Sequence, residues 1–344
     1  MNEHSLKTYN IMPSAKIETI PTLMEAFETY MADRRDLRET TVISYRQVIK
    51  RAGDLLDRPI NEIKFSDIKH LYASLRYDKG YKPASIELLN SLIVPTLNLA
   101  VRDDILIKNP AIGAYHEVAR GPEWKSMHRS SIDEETQKAF LAYVHHSGVY
   151  KGWENFFIFL FGTGMRIGEA VGIRWEDISF KSKLIQVRRS ISFIGGEVIE
   201  GPPKSASGFR TIPMLPAVRE ALLREHQLCK LTKVPRDKCI PGKTGYIFLN
   251  SKGKIHYPTT VNQAIKNIVH AYNKEHLDNP ISEFSVHQIR HSFCSRLVDQ
   301  DVNIKVIQAV MGHSDFQTTM NVYAEVSEKK KIDEFEELEG KMIV

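Results

Sequence analysis

From Thr22 the apolar residues Leu23, Ala26, Phe27, Tyr30 and Met31 recur at helical spacing, which predicts an amphipathic helix. A second helix is predicted over Thr41 to Leu56. Ser66 and Asp67 read as caps of a third, carrying Ile68, Leu71, Tyr72 and Leu75, and Pro83 opens a fourth that continues towards Val101. Pro95, which has no amide donor, is expected to kink or split that fourth helix. These elements predict a helical domain at 21–112 behind a short extension at 1–20. Residues 113–130 contain Gly113, Gly121 and Pro122 with little periodicity and read as a linker.

A second domain is expected at 131–326. Ile132 to His145 and Trp153 to Phe161 read as helices, the latter apolar almost all round, as a buried core helix would be. Between Leu184 and Pro213 the pattern turns to β-type residues broken by Gly195-Gly196 and by Gly201-Pro202-Pro203. That predicts a small three-stranded antiparallel sheet with hairpins at those turns. Helices resume at Pro216 to about Leu231, Thr259 to Tyr272, Val286 to Val298 and Ile304 to Val310. In the tail at 327–344, Ile332, Phe335 and Leu338 form one apolar helix stripe. The fold class is mainly α (α+β): a helical N-terminal domain and a mostly helical second domain with a small antiparallel sheet.

At 344 residues, 42% hydrophobic and 26% charged, the chain suits two folded domains rather than a disordered polymer. Its net charge of +5 is unevenly spread. Residues 120–324 carry 27 Lys/Arg against 19 Asp/Glu, whereas residues 1–119 are balanced and residues 325–344 are acidic. The positive region fits a polyanionic partner, or simply a basic soluble enzyme. Cys229, Cys239 and Cys294 lack paired metal-ligand spacing and read as free thiols. No segment is expected to reach the roughly 20 apolar residues that cross a bilayer, and no signal-like start is present, so a cytoplasmic protein with no membrane partner is expected.

Four pieces of sequence carry chemistry: Thr163-Gly164-Met165-Arg166-Ile167-Gly168-Glu169; Pro203-Lys204-Ser205 on the turn before a strand; His287-Gln288-Ile289-Arg290; and Met311-Gly312-His313-Ser314 with Tyr323 ten residues past the histidine. Singly each has a bland reading. Arg166 could be a helix-start arginine paired with Glu169, Lys204 a solvated lysine, His287 and Arg290 part of a polar helix face, His313 a helix-terminus residue and Tyr323 a core tyrosine. Gly162 to Gly168 is not a phosphate loop, because no Gly-Lys-Ser/Thr closes it. His145-His146 and Glu169 lack the helical spacing of a metal motif.

In order and spacing, the whole set resembles the tyrosine recombinase (phage integrase) family over roughly 120–325, and within it the integrases of phages and conjugative transposons. The resemblance implies a site-specific DNA recombinase. Tyr323 would attack a scissile phosphate to leave a 3′-phosphotyrosine, Arg166 and Arg290 would clamp the nonbridging oxygens, and His287 would assist proton transfer. Lys204 would protonate the departing 5′-oxygen, His313 would hydrogen-bond a phosphate oxygen, and Glu169 would buttress Arg166. Fork-shaped guanidiniums suit a phosphoryl transition state, and a phenol with an ordinary pKa near 10 needs such cations to become a nucleophile. Neither metal nor nucleotide is expected to be required.

The resemblance also implies double-stranded DNA recombination sites as partners, a homotetramer acting through a Holliday junction, and a directionality factor. The 21–112 domain would be the core-binding domain, closing with the catalytic domain as a C-shaped clamp on the duplex. Arg34, Arg35, Arg38, Arg46, Lys50 and Arg51 are candidate DNA contacts there, though a solvated helix face explains them equally. The residues before Pro21 are too few for the arm-binding domain that many relatives carry. The 327–344 tail is expected to dock on a neighbouring protomer or on its own domain. A type IB topoisomerase and a catalytically silent DNA-binding regulator are the alternative functions.

Overall fold

The computed structural model describes residues 19–121, 124, 131–194, 196–231, 240, 242–315, 317, 319–322 and 324. The chain divides into two compact units, Met1–His128 and Arg129–Val344. The expected 1–20 extension lies almost wholly outside the described residues, and Tyr323, Cys239 and the 327–344 tail lie entirely outside them.

The first unit is helical: α1 (Leu23–Ala32), α2 (Glu39–Ile49), α3 (Phe65–Tyr77), α4 (Pro83–Arg102) and α5 (Ala114–Val118). Thr22 caps α1 and exchanges hydrogen bonds with Glu25. The helix expected over Thr41 to Leu56 begins earlier, at Glu39, ends at Ile49 and gives way to 3₁₀ turns within Lys50–Asp57 that are parted at Gly53, whose positive φ (58°) no helix accommodates. At the head of α3 the cap is Lys64, whose amide donates to Asp67 at 2.9 Å, so Ser66 lies inside the helix rather than capping it.

Helix α4 runs as one 20-residue element through Pro95, so of the kink or split expected there the split does not occur. It is also long and apolar enough, by length and composition, to cross a membrane, which corrects the expectation that no segment comes close. Its apolar length is used in the core of the unit: Ile86, Leu89, Ile93 and Leu97 pack with Phe27, Ile49, Ile68 and Tyr72. Each such fully buried side chain contributes about 1.5–3 kcal/mol relative to exposure. The same core takes in Ala114 and Trp124 from the stretch read as a linker, and the Trp124 indole donates to the Tyr77 hydroxyl at 3.2 Å.

The second unit contains α6 (Glu134–His146), α7 (Glu154–Thr163), α8 (Ile167–Ala170), β1 (Ile178–Ser179), β2 (Leu184–Val187), β3 (Ser190–Ile194), β4 (Glu197–Gly201), β5 (Arg210–Pro213), α9 (Pro216–Leu231), α10 (Pro258–Glu275), α11 (Val286–Asp299) and α12 (Ile304–Met311). The mainly α fold with small antiparallel sheets is as expected. Helix α7 is buried nearly all round, and Phe157 meets Phe140 of α6 edge-on with ring centres 5.1 Å apart.

A three-stranded antiparallel sheet forms, but its strands are β1, β2 and β5, while β3 and β4 pair as a separate hairpin. The hairpin expected at Gly201-Pro202-Pro203 does not close. Two prolines in succession supply no amide donors, so the ladder ends there and the chain passes through a 3₁₀ turn, Ala206–Gly208, before β5 pairs with β2. Register then sets Ile185 opposite Ile212 and Val187 opposite Arg210. Ile185, Val187 and Ile212 are buried, so Arg210 shares the inward face of its strand.

Candidate active site

Helix α7 ends in a left-handed residue, Gly164 (φ 57°), where a Cβ would stand 2.4 Å from the Phe293 ring. The reversal frees the Gly164 carbonyl and sends the chain through Met165 and Arg166 into the short helix α8. At that helix start the Arg166 amide donates to Glu169 Oε2 at 3.0 Å, while Arg166 Nη1 reaches Glu169 Oε1, also at 3.0 Å. Helix α11 is capped by Ser285, whose amide donates to the Gln288 side chain, and the next amide, that of Val286, donates to Asn262 of α10. This anchorage places His287 and Arg290 three residues apart on one face. Arg290 is buried, with 5% exposure, whereas His287 is exposed.

The C-terminal end of α12 organises the site. The carbonyls of Val310, Met311 and Gly312 each accept from a different arginine: Arg210 Nε at 2.6 Å, Arg290 Nη2 at 2.5 Å and Arg166 Nη2 at 3.0 Å. A helix leaves its last carbonyls unsatisfied and carries partial negative charge there, so three cations gather on it without external counterions. Arg290 Nη1 also donates to the freed Gly164 carbonyl at 2.8 Å. Gly312 ends α12 in a left-handed conformation (φ 64°), and a Cβ there would lie 2.7 Å from the Ser207 carbonyl. The turn then presents His313, whose Nδ1 lies 2.9 Å from Oγ1 of the buried Thr319.

Arg166, His287, Arg290 and His313 line one cleft of about 180 Å³. Cys294, a buried free thiol, and Val322 line it too. Val322 immediately precedes Tyr323 in the chain. A second cleft of about 450 Å³ shares Arg166, His287 and Arg290. Glu169, 2% exposed, lies behind Arg166 and also accepts from Arg210 Nη2 at 2.8 Å. Lys204 stands exposed on the turn after β4 and lines neither cleft, although its turn reaches Gly312 through Ser207.

The electrostatics favour an anion. Burial alone would raise the Glu169 pKa, but Arg210, Arg166 and Arg290 hold it below the usual carboxylate range. Burial, Arg166 and Arg210 push Arg290 down to about 9 despite Glu169, which leaves it charged at neutral pH. Burial, reinforced by Arg290, Arg166, Arg210 and His287, pushes His313 down to about 4. His313 is therefore neutral at pH 7, and between about pH 6.5 and 4 the unfolded chain binds a proton that the native state refuses. Stability carried by this group is intact above about pH 6.5 and is lost as pH falls towards 4. Thermal melts across that window should show a shallower decline for His313→Gln than for the parent; parallel declines would contradict the assignment.

Sequence reasoning missed Arg210 and Thr319. Arg210 could have been found as a charged residue on the same strand face as the apolar Ile212. Thr319 carries no comparable mark. Of the six basic residues singled out in the first unit, Arg34 bonds to the Tyr30 hydroxyl and Asp36, Arg46 pairs with Glu28 through two nitrogens, and Arg51 donates to the Ser85 carbonyl. Arg35, Arg38 and Lys50 are exposed.

Residues 131–330 match the phage integrase family, and a tyrosine recombinase XerC-like protein of Caldanaerobacter subterraneus subsp. tengcongensis is 30% identical over 86% of this chain and 75% of its own length. The chain therefore belongs to the phage integrase family of tyrosine recombinases, enzymes of site-specific DNA recombination. The transposase from transposon Tn916 of Enterococcus faecalis is 28% identical over 88% of this chain and 74% of that protein. Among solved structures, the integrase of transposon Tn1549 in complex with transposon right end DNA superposes with a TM-score of 0.80 at 25% identity, covering 92% of this chain and 99% of that one. A λ integrase dimer bound to a core site shares the fold at 17% identity, with a TM-score of 0.60 and coverage of 88% and 76%.

Proposed function

We propose that this recombinase cleaves and rejoins DNA through a 3′-phosphotyrosine at Tyr323, with the scissile phosphate seated in the Arg166–Arg290 cleft. The observation that carries this reading is the convergence of two guanidiniums and two imidazoles on one cleft whose wall includes Val322. Arg166 and Arg290 each spend two nitrogens on protein acceptors, which fixes the planes of their forks. Their remaining donors meet the charge that develops on the nonbridging oxygens. His287, exposed at the mouth, assists proton transfer, and neutral His313 donates a hydrogen bond from Nε2 when Nδ1 accepts from Thr319. Lys204 protonates the departing 5′-oxygen as its turn closes over bound DNA.

The energy of the broken phosphodiester is kept in the phosphotyrosine bond, so resealing needs no nucleotide, and the arginines supply the charge that a metal ion would otherwise provide. The partners in this reading are duplex recombination sites, exchanged through a Holliday junction, three further copies of the chain in a tetramer on that DNA, and a directionality factor. Residues 21–112 serve as the core-binding domain, with Arg34, Arg35, Arg38, Arg46, Lys50 and Arg51 as candidate phosphate contacts, and the 327–344 tail docks on a neighbouring protomer. Such a protein works in the cytoplasm, on the nucleoid.

A nicked suicide duplex containing the recombination site tests the reading. Incubation with the full chain in excess chelator should give a covalent protein–DNA adduct at the same rate as with Mg²⁺. An adduct that formed only when Mg²⁺ was restored would rule out the arginine-based mechanism.

A further inference from the structure

We propose that Arg210 is a positioning residue for strand cleavage, locking Arg166, the His313 turn and the Lys204 turn into one register from behind the cleft. The proposal rests on the residue roles given above and adds a group that they do not include. Arg210 has only 4% of its side chain exposed and lines neither cleft, so it acts through other residues. Its three guanidinium nitrogens reach two distant elements, α8 and α12, and the turn that leads into its own strand. Nη2 bonds Glu169, which holds Arg166; Nε bonds the Val310 carbonyl, three residues before His313; Nη1 bonds the Gly208 carbonyl at 3.1 Å, four residues after Lys204.

The base of this fork is fixed by strand pairing, since Arg210 sits opposite Val187 in the β2–β5 ladder. Its approach to α12 depends on Gly312, where a Cβ would stand 2.9 Å from Arg210 Cδ. The close contact sets the distance between the Lys204 turn and the His313 turn. An ordinary core ion pair would link Arg210 to Glu169 alone; the long-range bond to the Val310 carbonyl at the end of α12, beside the local one to Gly208, ties the approaches to both reactive turns to one guanidinium.

The charged groups that face Glu169 are Arg166 at the head of α8, Arg210 from β5 and Arg290 from α11. Losing Arg210 removes one of the two donors to Oε2, leaving the Arg166 amide, and one of three cations that keep a buried carboxyl ionised. Protonated Glu169 no longer accepts from Arg166 in the same way, so cleavage should become sensitive to pH in a manner that simple loosening of the fold does not produce.

The test compares full-length parent, Arg210→Met, Arg210→Lys and the same changes in a Glu169→Gln background. The readouts are single-turnover adduct formation on the nicked suicide duplex across a pH series, duplex affinity and thermal melting. Arg210→Met should lower the adduct rate about 10–100-fold, the effect typical of losing a supporting hydrogen-bond partner. Duplex affinity should be unchanged, and the acid limb of the rate profile should move to higher pH. Arg210→Lys should restore the limb but not the rate, because an ammonium supplies charge without the rigid three-way fork. With Glu169→Gln in place, Arg210→Met should produce no shift of the limb.

Parental rates in folded Arg210→Lys, or rates that fall only in step with melting temperature and without a pH shift, would overturn the proposal. Should Arg210→Met fail to fold, Arg210→Lys decides the matter on the same readouts. Absence of an adduct with the parent chain would instead sink the residue roles on which the proposal rests.

Discussion

Replacing Tyr323 by phenylalanine should abolish the covalent adduct on a nicked suicide duplex while leaving duplex affinity intact. Phenylalanine keeps the ring and removes only the oxygen that forms the phosphodiester to DNA. No neighbouring hydroxyl is proposed to substitute for it, so the loss should be at least about 10⁴-fold, in the range seen when a sole nucleophile is removed. The chain places Tyr323 one residue beyond Val322, which lines the arginine cleft. Denaturing electrophoresis of the trapped complex reads the result directly. An adduct that persists in Tyr323→Phe would move the nucleophile elsewhere and undo the proposed mechanism.

The second large effect is expected for Arg290→Lys, a substitution that preserves formal charge. Arg290 is buried and bridges the Gly164 and Met311 carbonyls, two acceptors that a single ammonium cannot reach in the same geometry. Burial and the adjacent Arg166 and Arg210 already push the guanidinium down to about 9. A lysine starts from a lower intrinsic pKa, near 10.4, so the same surroundings would drive it towards the neutral amine. The adduct-forming rate should fall by about 10²–10³-fold, the cost of removing one preorganised donor to a developing oxyanion. Stability should fall too, because hydrogen bonds to charged groups are worth about 1.5–3 kcal/mol each. Single-turnover rates and urea melts check both parts, and a folded, fully active Arg290→Lys protein would show that the fork is not needed.

The helical skeleton was legible because apolar spacing is a direct record of burial. Leu23, Phe27 and Met31, or Ile86, Leu89 and Ile93, face inward as their intervals require. Helix ends were less legible where backbone geometry decides: the second helix gives way at Ile49 to 3₁₀ turns parted at Gly53, and Asp67 folds back to Lys64 instead of leaving Ser66 to cap. Pro95 shows the opposite limit. A proline that should break a helix is carried through α4, whose neighbouring turns are packed into the core.

The sheet was half legible. Turn glycines marked the β3–β4 hairpin, but the pairing of β5 with the distant β2 depends on two prolines ending the ladder and on Ile212 finding Ile185. Of the proposed site residues, Arg166, His287, Arg290 and His313 meet in one cleft, and Glu169 stands behind them. The acceptors that hold the arginines could not be read in advance. They are backbone carbonyls of Gly164, Val310, Met311 and Gly312, and a carbonyl leaves no trace in the amino-acid letters. For the same reason Arg210 passed unnoticed beside the more conspicuous Lys204.

The end of α12 acts as a keystone. Its last carbonyls accept from Arg166, Arg210 and Arg290, holding together three guanidiniums that would otherwise repel one another around the one carboxylate of Glu169. In the proposed mechanism, the cleft that receives the phosphate is thus built from the end of α12 as much as from the arginines themselves.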